Sequence, residues 1–210
     1  MFGSSEEGAR PARLDRDRGL VEAARRDPSR FDTLYRKYLA QVYSYAFYEL
    51  RDHHAAEDAT ERVFMQALAG LPRFEERVDE FIASRAPLSA ADSAEFSTFR
   101  VWLFRIARNV VANERRRDRR RPVSSLEAAA EISAPGDVVE AAAAREAMSA
   151  AWQAVARLPE DRRRAIILRF VDEMSTAEIA AVLDRSEGAV RVLLHRALRS
   201  VADDLRGGLS

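Results

Sequence analysis

The stretch from Leu158 to Leu205 constrains this chain most, because two short apolar repeats at helical spacing sit there with almost nothing between them. In STAEIAAVL, Ser175 is placed to cap a helix, Glu178 can reach back to the cap's own amide, and Ile179, Ala180 and Leu183 form an inward stripe. Asp184 and Arg185 make the turn. Ser186 caps a second helix, SEGAVRVLLHRALRSV. Val190, Leu194, Ala197, Leu198 and Val201 fall on its inward side, and Glu187, Arg191, His195, Arg196 and Arg199 on the other. That is the geometry of a helix-turn-helix, whose second helix enters the DNA major groove with its N-terminal residues towards base edges.

The rest of the chain is helical in pattern as well. Residues 1–28 are polar, arginine-rich and interrupted by Pro11, Gly19 and Pro28, which predicts a flexible tail with one helix near Leu20 to Arg26. Residues 29–121 carry three helical stripes. Phe31, Leu34, Tyr35, Tyr38, Val42 and Tyr45 mark the first. Ala59, Val63, Ala67 and Leu71, flanked by Phe64 and Leu68, mark the second, and Phe99, Trp102, Leu103, Ile106 and Val110 the third. Residues 122–137 mix small, polar and breaker residues in the manner of a linker. Helical character returns over 138–205, with Met148, Trp152 and Val155 expected to pack towards Ile166, Ile167 and Phe170. No strand pattern stands out. The expected fold is therefore all-α, two small helical domains joined by a flexible linker.

Charge is informative through its distribution. The 34 basic and 34 acidic residues cancel, yet ERRRDRRRP between Glu114 and Pro122 is densely basic while Glu75 to Glu95 is acidic, giving a strong local positive field. With no cysteine, disulfides and thiolate zinc sites are excluded. The N-terminus lacks the apolar core of a signal peptide, and no run approaches the roughly 20 apolar residues of a membrane span, so a cytoplasmic protein without membrane insertion is expected. Glycine-rich phosphate loops are absent, and His53, His54 and His195 lack metal-ligand company, so no catalytic residue, metal site or cofactor is assigned and the chain is not expected to be an enzyme.

The third helix of the first domain also carries chemistry. In FRVWLFRIARNVVANERRRDRRR, Arg105, Asn109 and Asn113 follow at i, i+4 and i+8 opposite the apolar side. Asn and Arg pair bidentately with adenine and guanine edges, and the arginines beyond them, Arg116 and Arg117 among them, can neutralise phosphates.

Four segments, AEDATERVFMQAL, FRVWLFRIARN, LPEDRRRAIILRF and EIAAVLDRSEGAVRVLLHRAL, in this order and spacing, resemble the second and fourth regions of bacterial sigma-70-type initiation factors of the extracytoplasmic-function (ECF) group. The resemblance implies a region 2-like bundle over 29–121, a region 4-like helix-turn-helix domain over 138–205, and a factor that binds core RNA polymerase through the β′ clamp and β flap. It further implies recognition of the minus-ten and minus-thirty-five promoter elements, promoter melting, and an anti-sigma partner. By the family pattern, Asp58, Glu61, Arg62 and Phe64 face the β′ clamp. Arg105, Asn109, Asn113, Arg116 and Arg117 serve the minus-ten element, and Ser186, Glu187, Arg191, His195 and Arg196 the minus-thirty-five element. The chain departs from the pattern at Glu61, usually Gln, at Arg62, usually acidic, and at Leu193, where many relatives are basic. It also inserts an acidic segment at about 75–95, which is either a disordered insertion without function or, since Phe74, Val78, Phe81 and Ile82 are spaced for a short helix, a segment folded away from DNA that covers the domain surface or meets a protein partner, with Ser93 to Thr98 as the nearer base-capturing loop. The alternative is a stand-alone helix-turn-helix regulator, which would have no use for the stripe at Arg105 or the helix at Asp58 to Leu68.

Overall fold

A computed structural model describes residues 16–76, 96–118 and 138–207. The acidic segment from residue 77, the linker and the first 15 residues lie outside the described residues. Helices α1 (Arg18–Arg26), α2 (Phe31–Leu50), α3 (His53–Gly70) and α4 (Thr98–Asp118) form the first unit, with 3-10 turns at Pro28–Arg30 and Leu71–Arg73. Helices α5 (Val138–Arg157), α6 (Glu160–Phe170), α7 (Thr176–Leu183) and α8 (Glu187–Gly207) form the second. Among the described residues there is no strand.

Local chemistry sets the breaks. Helix α2 stops at Arg51, which turns left-handed at φ 60°, and Asp52 then takes an extended conformation and accepts a hydrogen bond from the Ala55 amide at 2.7 Å to open α3. The chain thereby folds back so that α2, α3 and α4 share one core. Leu34, Tyr38, Val42 and Tyr45 bury from α2, Phe99, Leu103 and Phe104 from α4, while the small Ala56, Ala59 and Ala67 let α3 approach closely. At Gly70 the approach leaves no room for a side chain, since a β-carbon there would stand 2.9 Å from the Trp102 ring.

The tail is ordered further towards the N-terminus than its composition predicts. Val21 and Ala24 of α1 are buried, and Asp17 is wholly buried, accepting hydrogen bonds from Tyr38 Oη, Lys37 Nζ and Ser97 Oγ. A buried carboxylate requires such partners. They lie 20 to 80 residues away, beyond the reach of a local reading.

In the second unit the capping box forms as predicted: the Glu178 amide donates to Ser175 Oγ at 3.2 Å, and the Ser175 amide donates to Glu178 Oε2 at 3.0 Å. Val190 and Ala197 bury, with Leu194 and Val201 packed beside Val155, Leu158 and Ile166. Several expected core residues do not bury. Tyr35, Leu68, Met148, Phe170 and Leu198 are exposed because each lies at the margin of its stripe rather than on its centre line.

The two units share a continuous apolar core, and arginines stitch them together. Arg105 donates from Nε and Nη2 to the Ala181 carbonyl at 3.0 and 2.8 Å, and Arg108 from Nη1 to the Val182 carbonyl at 2.8 Å. These are last-turn carbonyls of α7, left without intrahelical donors, and two cations at that negative helix end are favoured. Buried Arg100 lies 3.5 Å from Glu178 and donates to the Asp172 carbonyl. On the other side, buried Glu49 of α2 gathers Arg115 at 2.8 Å, Arg163 at 3.3 Å and Arg164 at 3.9 Å. Arg51 donates to the Trp152 carbonyl at 2.7 Å while Tyr48 lies on the Trp152 ring.

Candidate functional site

Three surfaces carry the predicted residues. On α8, Ser186 accepts a hydrogen bond from the Ala189 amide at 3.2 Å and so fixes the helix start. Glu187 turns inward and pairs with Arg191 at 3.0 Å, one helical turn later. Arg191, His195 and Arg196 are exposed, and Arg199 extends the same basic face. Leu193 packs against the core instead of facing out. The structure thus brings Arg191, His195 and Arg196 onto one accessible face, with Glu187 as the internal partner of the first.

On α4, Asn109, Asn113, Arg116 and Arg117 are exposed in a row. Arg116 donates to Asn113 Oδ1 at 2.9 Å, and Arg117 lies 3.5 Å from Glu114. Arg105 belongs to the same stripe but is held by the α7 carbonyl. Arg108, which the sequence reading passed over, makes the neighbouring contact; its place three residues after Arg105 was the available signal. Beside Arg105 is a hollow of about 260 Å³ bounded by Arg73, Phe74, Thr98 and Trp102. Trp102 is half-buried, its ring 5.1 Å from that of Phe74 and 5.6 Å from that of Phe99.

The third surface is an open groove of about 400 Å³ between α2 and α3. Phe64 forms its floor, edge-on to Phe31 and Tyr35, and Glu57 and Glu61 stand on its rim. Tyr35, Met65 and Leu68 expose apolar surface into it, and the sequence reading did not single them out for this role. Glu61 and Phe64 meet in the groove, whereas Asp58 lies on the exposed flank and Arg62 turns away to Glu114 of α4 at 2.8 Å. Among the described residues, no three His, Asp or Glu side chains converge as metal ligands, and no helix is long and apolar enough to cross a membrane.

Buried carboxylates dominate the electrostatics between the units. Burial pushes Asp172 well above the usual carboxylate range against the opposing charge of Arg100, and raises Glu178 for the same first reason. Arg115 shifts down, through burial and then the like charge of Arg163.

Comparison with known proteins finds the sequence model for sigma-70 region 2 over residues 34–83 and that for sigma-70 region 4 over residues 148–201. The ECF RNA polymerase sigma factor BldN of Streptomyces coelicolor is 32% identical over 196 residues, covering 89% of this chain and 66% of that protein. The RNA polymerase sigma-H factor of Pseudomonas aeruginosa is 30% identical over 197 residues, covering 89% of this chain and 92% of that one. The ECF RNA polymerase sigma factor SigC of Mycobacterium tuberculosis is 31% identical, covering 75% and 77%. In fold, the chain is similar to CnrH in complex with the cytosolic domain of CnrY, with a TM-score of 0.61 at 23% identity over 92% of this chain and 99% of that one. It is equally similar to the sigma factor RpoE in complex with the anti-sigma factor NepR from Bartonella quintana, with a TM-score of 0.61 at 21% identity over 84% and 96%.

Proposed function

This chain belongs to the extracytoplasmic-function group of sigma-70 RNA polymerase sigma factors, and from that premise we propose how its surfaces divide the work of initiation. The groove between α2 and α3 receives the β′ clamp of core polymerase, with Phe64 and Glu61 at its centre and Asp58 and Arg62 on its flank, and the second unit meets the β flap. Asn109, Asn113, Arg116 and Arg117, joined by Arg105, serve the minus-ten element. The exposed face of α8, led by Arg191, His195 and Arg196 on a helix started by Ser186 and braced by Glu187, reads the minus-thirty-five element in the major groove. Melting costs a few kcal/mol per unstacked base, and capture of an extruded base offsets it. Catalysis stays with the polymerase, and the cytoplasm is the site of action.

One observation carries this reading: a helix-turn-helix whose second helix exposes Arg191, His195 and Arg196 stands in the same chain as a separate stripe of exposed Asn and Arg on α4. A stand-alone regulator needs the first and has no use for the second.

The docked arrangement described above adds a step. The two promoter elements lie roughly 25 base pairs, about 85 Å, apart along the duplex. Arg105 meanwhile touches Ala181 at 2.8 Å. Both elements cannot be read at once in that state, so the units separate on promoter engagement, with residues 29–121 and 138–205 acting as domains. The 19 residues of 119–137 reach at most about 65 Å, which together with the helices they join is sufficient. An anti-sigma partner, of the kind named for the RpoE structure, would act by holding the docked form.

Run-off transcription from a genomic promoter library, with core polymerase and with or without the chain, tests the proposal. Discrete new starts sharing two spaced upstream motifs are expected. Tight duplex binding by the chain alone, with no new starts, would favour the stand-alone regulator.

A further inference from the structure

The basic face of α8 has an apolar centre. Val192 follows the buried Val190 by two residues, which places it on the opposite side of the helix, and it is 47% exposed. Gly188 precedes it by one turn, with open space where a β-carbon would stand, and His195 and Arg196 follow by one turn. The outermost line of the helix therefore runs Gly188, Val192, His195, Arg199, with the guanidinium groups of Arg191, Arg196 and Arg199 around one branched aliphatic. Leu198, also exposed, lies towards the side of the helix and off this line. In the major groove each base pair shows a distinct edge, and thymine alone among the four bases carries a methyl group there. The cations around Val192 suit phosphates and purine edges, whereas its two methyls can satisfy neither. Gly188 leaves room for a base edge to approach them.

We propose that Val192 is a specificity-determining residue, packing its methyl groups on the C5-methyl of a thymine in the upstream promoter element. This rests on the assignment of α8 to that element. The contact buries about one methyl group's worth of apolar surface, which corresponds to about a four-fold preference for thymine over uracil at one position. It enters at the sixth residue of α8, so the thymine lies within the element's core, beside the bases reached by Arg191 and His195.

The test uses the full chain with core polymerase on a promoter mapped by run-off transcription, each thymine of the upstream element being replaced in turn by deoxyuridine. With the unsubstituted chain, one position is expected to lose about four-fold in binding. Val192→Ala should bind the thymine promoter more weakly and respond to deoxyuridine at that position no further, while Val192→Ile should retain the discrimination. Footprinting separates the two levels of the account. Protection of the upstream element with no deoxyuridine penalty at any thymine, or with the same penalty in Val192→Ala, overturns the role of Val192 and leaves the assignment of α8 standing. Absence of protection over the upstream element while transcription is directed overturns both.

Discussion

Asp172 is fully buried, and its carboxylate oxygens accept no hydrogen bond among the described residues. Because burial holds its pKa above the ordinary carboxylate value, its contribution to the docked state is complete at acid pH and is lost as pH rises through the raised value. Glu178 has the same sign. Asp17 has the opposite one: burial works against its ionisation, but hydrogen bonds from Lys37, Ser97 and Tyr38 outweigh that and lower its pKa, so its contribution is lost as pH falls. Asp172→Asn is expected to stabilise the chain above the pH at which Asp172 ionises and to flatten the loss of stability as pH rises, as read by urea unfolding at several pH values. Glu49 predicts the reverse. Its removal in Glu49→Ala strands Arg115 and Arg163 together, while Arg164 keeps its pair with Glu160, at a cost of about 3–5 kcal/mol, which a shift in the urea midpoint would report.

At the scale of elements, α3 shows how one helix serves two neighbours. Ala59, Val63 and Ala67 face the core while Met65 and Leu68 face the groove, so Met65→Asp should weaken core polymerase binding about ten-fold in a competition assay while the unfolding midpoint stays unchanged. Gly70→Ala tests the other side. An alanine is the better helix former, but its β-carbon collides with a rigid indole, so the substitution should destabilise by about 1–3 kcal/mol in thermal unfolding. The helix pair α7 and α8 was legible in the sequence because its caps and stripes are local: Ser175 and Glu178 are three residues apart, and Val190 and Ala197 two turns apart. The second role of Glu178, against Arg100, was not legible, since that partner lies 78 residues away. Tyr35 and Leu68 read as core from their spacing, yet the groove between α2 and α3 leaves their outer edges exposed. Arg105 was recognisable as part of a polar stripe, but what it touches depends on where the second unit sits, and no spacing within α4 encodes that.

For the whole molecule, the proposed function gives the same arginine row two uses. Arg105 and Arg108 close the end of α7 in the docked form, and Arg105 shares its stripe with the residues assigned to promoter DNA. On the assignment proposed for Arg105, docking and minus-ten reading compete for a common surface, so the chain alone should bind the minus-ten element poorly and core polymerase should relieve that block. The absence of cysteine makes this directly measurable, because Gln66→Cys on α3 and Asp203→Cys on α8 give two unique labelling sites on exposed positions of the two units. Energy transfer between dyes at these sites should report a short separation in the chain alone and an increase on the order of tens of Å when core polymerase and promoter are added. An unchanged separation in a complex that initiates transcription would contradict the account.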